Sequence, residues 1–90
     1  MAGLTADSVL QHSSGDLFLK VAKFSAVVIN DHWDSGMTGV VTMWANETTA
    51  PGTQTNAGVA VRQSSAGSGT FIFVPGENTQ DITLHVLTTD

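Results

Sequence analysis

Ninety residues, a net charge of −5 and no cysteine describe one small domain that disulfides cannot brace and thiolate-bound zinc cannot organise. Lys20, Lys23 and Arg62 are the whole basic complement, too few for the counterion release that nucleic-acid binding draws on or for adhesion to an anionic membrane. Charged residues make up 12% of the chain, about half the usual globular share, and small polar side chains fill the gap, which suits a surface that touches other protein.

In chain order, the opening stretch MAGLTADSVLQHSSG has no basic segment ahead of an apolar core, so no secretory leader is expected, and no apolar run is long enough to span a bilayer. The expected place of synthesis is the cytoplasm. Residues 5–13, TADSVLQHS, have room for a helical turn or two capped by Thr5 or Asp7. So short a helix is unstable alone. Residues 1–14 are therefore expected to form an arm that docks on a partner, with Leu4, Val9 and Leu10 as its adhesive side chains.

Period-two alternation then takes over. In LFLKVAKF, residues 17–24, Leu17, Leu19 and Val21 alternate with Phe18, Lys20, Ala22 and Phe24. Both sets are fairly apolar, which predicts a strand covered on both faces or bulged near Lys23. INDHWDSGM, residues 29–37, is the most chemically loaded stretch. On an extended strand His32 and Asp34 would share a face while Asp31 points away. A cation site from these three side chains is one reading. The simpler one is a turn shaped by Asn and Asp, with Trp33 dropping its ring onto the core.

VVTMWA, residues 40–45, places Val40, Thr42 and Trp44 opposite Val41, Met43 and Ala45. A long polar loop follows, and long loops in small domains are commonly functional. Trp44, Asn46, Glu47, Thr49 and Gln54 are accordingly expected at an interface. GVAVRQ, residues 58–63, turns Val59 and Val61 inward; TFIFV, 70–74, pairs Phe71 with Phe73; ITLHVL, 82–87, sets Ile82, Leu84 and Val86 against Thr83, His85 and Leu87. The turns between them are rich in glycine, and Pro75 closes a strand it cannot extend.

The pattern predicts an all-β fold: a small antiparallel sandwich or barrel of five to six short strands, residues 15–90, carrying the N-terminal arm. No catalytic chemistry stands out. His12, His32 and His85 do not cluster by spacing, the serines lack a nucleophile elbow, and the glycines of SSAGSG are followed by neither a lysine nor a helix. No enzyme activity, cofactor or metal is expected. Most aromatic rings read as core, with Trp44 the best candidate for exposure.

Taken together, GDLFLKVAKFS, the D-x-W-D-S-G-M stretch, GVVTMWAN, TQTNAGVAV, GTFIFVPGEN and ITLHVL resemble small all-β proteins encoded near the structural genes of tailed phages. Some of these are capsid decoration or cement subunits. The resemblance covers residues 15–88 and rests on strand and turn patterns. It implies a virion structural protein on the capsid surface, bound to the major capsid protein and assembled as a homo-oligomer, a trimer for preference, without nucleic acid or membrane. The alternatives are a tail or fibre component that binds a host glycan, and a small enzyme.

Overall fold

The computed structural model describes residues 3–47, 59–65, 68–76 and 79–90. Among them the chain forms seven strands and no helix: β1 Ser8–Ser14, β2 Leu17–Val27, β3 His32–Asp34, β4 Val40–Glu47, β5 Val59–Gln63, β6 Thr70–Pro75 and β7 Gln80–Thr88. They make two antiparallel sheets, a four-stranded one ordered β1-β2-β7-β4 and a three-stranded one ordered β3-β6-β5. All five strands expected from the alternation are present. The architecture is an open sandwich, not a closed barrel.

The two further strands correct the expectation for the arm and the loaded turn. Residues 8–14 pair with β2 from Ser8↔Lys23 to Ser14↔Leu17, so they are a strand where a helical turn was expected. Only Gly15 and Asp16 lie in the hairpin loop, and Gly15 takes a φ of 64°. A positive φ at the first loop residue and not at the second marks a type II′ hairpin, which returns the chain with the right twist. β3 is a strand because Trp33 is held opposite Phe71.

The core lies between the sheets. Phe24 meets Trp33 edge-on at 5.2 Å and Phe73 at 5.1 Å, and Trp33 stacks on Phe71 at 6.1 Å. Ile82, Leu84 and Val86 of β7 close the core from the other side, fully buried as their spacing predicts. The bulge foreseen near Lys23 falls between Phe24 and Val27. There Ala26 adopts a φ of 54° and donates its N–H to Asp81 Oδ1 at 2.9 Å.

The first and last described segments are both tied in. Gly3 bridges His32 and Leu4 N donates to His32 O at 2.7 Å, after which Asp7 N donates to Lys23 O at 2.7 Å, so this segment steps from the small sheet to the large one. The Asp90 carboxylate accepts from the hydroxyls of Thr88 at 2.6 Å and Thr38 at 2.7 Å and from the N–H groups of Thr38 at 2.8 Å and Gly39 at 3.0 Å. The Thr88 and Thr38 hydroxyls, then those two backbone donors, hold this carboxyl well below the usual carboxylate range.

Candidate functional site

Strand register builds an apolar surface on the face of the four-stranded sheet turned away from the core. Ile82, Leu84 and Val86 point inward, so Thr83, His85 and Leu87 point outward. The ladder carries this parity across the sheet. One row reads Leu10, Val21, His85, Trp44, and the next reads His12, Leu19, Leu87, Thr42. Neither row contains a carboxylate, lysine or arginine. A third row, Ser8, Lys23, Thr83, Asn46, forms a polar margin. At ordinary strand spacing each row spans about 14 Å.

Trp44 and His85 stack in parallel, with ring centroids 4.9 Å apart and planes 1° apart. That separation matches the strand spacing, so the two rings stand side by side on neighbouring strands. β4 is the last strand of its sheet, which leaves the far face of the indole open past the edge. Trp44 is 46% exposed and Leu10, at the opposite end of the same row, 65%. His85 Nδ1 is buried with no hydrogen-bond partner among the described residues.

The expected interface residues thus divide. Leu10 and Trp44 come together in one row, with Asn46 beside them in the polar margin. Val9 lies opposite Ala22, on the other face of the sheet. Leu4 packs against the core. Glu47 turns inward, and its Oε2 accepts from Gln80 Nε2 at 2.6 Å. Thr49 and Gln54 fall outside the described residues. The sequence reading did not select Leu19, Val21 or Leu87. The signal for Leu19 and Val21 was the apolar character of both faces of residues 17–24, and for Leu87 its place on the face of β7 opposite Ile82, Leu84 and Val86. Val28 and Ile29, exposed on the turn before β3, were missed as well.

The loaded stretch makes structural contacts. Asp31 is buried, and its Oδ2 accepts from Val28 N at 2.8 Å, while its carbonyl accepts from Phe73 N at 2.9 Å. Asp34 Oδ1 accepts from the Thr70 hydroxyl at 2.7 Å. His32 Nε2 stands 4.0 Å from Asp34 Oδ2, sharing a strand face as the spacing predicts. Among the described residues no three His, Asp or Glu side chains converge on a point where a metal ion could sit. We expect Asp31→Ala to lower stability by about 1–3 kcal/mol, because the buried carboxylate that accepts from Val28 N is lost, and Asp34→Ala on the exposed rim to cost less. Urea titrations of the two variants measure the difference.

In comparison with known proteins, no family model matches the chain, no curated protein matches it, and no solved structure matches it.

Proposed function

We propose that the chain is a structural adhesion subunit that binds a protein lattice through the outward face of its four-stranded sheet, as a decoration subunit on the outer surface of a phage capsid. The observation that carries this reading is the double row from Leu10 to Trp44 and from His12 to Thr42, free of carboxylate, lysine and arginine, continuous across four strands and margined by polar residues. Interfaces have this anatomy: a core depleted of charge, aromatic residues at anchoring positions and a polar rim. Small size and sparse charge support the same reading.

The mechanism is physical. A subunit that binds the assembled shell, and not its free building blocks, stabilises the shell by mass action. No bond is made or broken. An interface of roughly 800 Å² per partner is enough for a specific contact.

Co-sedimentation with purified capsids tests the proposal. The Leu19→Asn/Leu87→Asn variant should keep its far-UV circular dichroism and lose binding by at least about tenfold, since two apolar contacts at the centre of the face are replaced. Unchanged binding would exclude this face. The open indole of Trp44 beside Asn46 favours a second reading, a glycan platform on a tail or fibre protein. That reading requires sugar binding that Trp44→Ala abolishes and Leu19→Asn/Leu87→Asn leaves intact.

A further inference from the structure

We infer that β1 is a self-pairing edge: two copies of this chain join antiparallel, β1 against β1, about a two-fold axis at Gln11, and so merge their four-stranded sheets into one. This inference is independent of what the outward face binds.

Three observations lead to it. First, β1 is the outermost strand of its sheet. An antiparallel strand with a single neighbour aims the N–H and C=O groups of alternate residues away from that neighbour, where they can template another strand. Second, nothing among the described residues blunts this edge. Its sequence, SVLQHSS, has no charge, proline or glycine, and its register with β2 is unbroken. The opposite edge, β4, is interrupted by a register shift between Val40 and Thr42 and packs beside β5. The β3 edge is three residues long and is flanked by Gly3 and Leu4. Third, among the described residues nothing covers either face of β1. Among the described residues it packs on β2 and on no other strand beyond marginal contact. Val9 is 49% exposed on one face and Leu10 65% on the other. A body stacked on the sheet can cover one of these side chains. Only a strand added alongside touches both.

A second copy fits this edge. The axis at Gln11 sets Val9 against Ser13 and Leu10 against His12 of the other copy, and Gln11 against itself, so every facing pair is neutral. A chain of net charge −5 thereby meets its copy along a segment free of its own repulsion. The paired Gln11 amides each offer a donor and an acceptor. The contact consumes the same edge on both copies, so assembly closes at two, in place of the trimer expected from the resemblance.

Sedimentation of the purified chain over a dilution series tests this. The wild type should run at twice the 9.4 kDa chain mass and dissociate on dilution, and its β1 amides should exchange more slowly as concentration rises. Val9→Glu/Ser13→Glu opposes carboxylates at both Val9–Ser13 contacts and should raise the dissociation constant about tenfold or more. Val9→Lys/Ser13→Lys should do the same, and an equimolar mixture of the two should pair again as a mixed dimer. Ala60→Lys, exposed on the small sheet, should leave pairing unchanged. A wild type that stays monomeric at every concentration, one that assembles beyond two, or charge variants that still pair with themselves would overturn the inference. If a charge variant does not fold, the wild-type mass and its β1 exchange decide alone.

Discussion

Truncating Phe24 to alanine should cost about 3–5 kcal/mol, a large part of the roughly 5–15 kcal/mol that holds a small domain together. Phe24 is 2% exposed and touches the rings of Trp33 and Phe73 at 5.2 and 5.1 Å. It therefore joins β2 of the large sheet to β3 and β6 of the small one. Its removal leaves a void that neither sheet can fill without moving, because each is held by its own ladder. The urea midpoint should fall sharply with little change in slope. Phe24→Leu, which keeps much of the volume, should recover most of the loss. If alanine cost no more than a surface substitution, the two sheets would not share the core described here.

Gly69→Ala should be a damaging single-methyl change. A Cβ at Gly69 would lie 2.2 Å from Met37 O and 2.9 Å from Met37 N. Both atoms are backbone, so no side-chain rotation relieves the clash. The Gly69 carbonyl also accepts from Ser35 N at 3.0 Å and Ser35 Oγ at 2.6 Å, so the two segments cannot separate without losing those bonds. We expect a loss of about 1–3 kcal/mol or more, read as a lowered thermal midpoint. Gly36→Ala separates two causes. Gly36 has a φ of 79° and open space around its Cβ position, so its cost comes from backbone conformation alone. Equal losses at both positions would argue that the close approach at Gly69 contributes nothing.

Much of the fold was legible because period-two alternation is a local property. Phe71 with Phe73, and Ile82 with Leu84 and Val86, fall on the buried side as their spacing requires. β1 was read as a helical arm because its polar residues carry no clear period. The available signal was the Gly15–Asp16 pair between two extended runs, a hairpin dipeptide. β3 is too short to show any period and exists through its pairing with β6. Residue 47 was expected at the surface because a polar loop follows it, and it lies inward, on the side of Met43 and Ala45. The register shift between Val40 and Thr42 inserts one residue, which brings Val40 to that same side, while Trp44 and Asn46 face out. A bulge resets the parity of everything after it.

By itself the sequence determined the fold class, the strands with their buried phenylalanines and aliphatics, and the absence of a basic surface, because each follows from residue type and spacing along a few neighbouring positions. The face proposed for binding was assembled only in three dimensions. Leu10, Val21, His85 and Trp44 are far apart in the chain and become one row through three separate ladder registers. Register depends on which strands pair and where a bulge shifts them, and those are outcomes of packing the whole chain around one core.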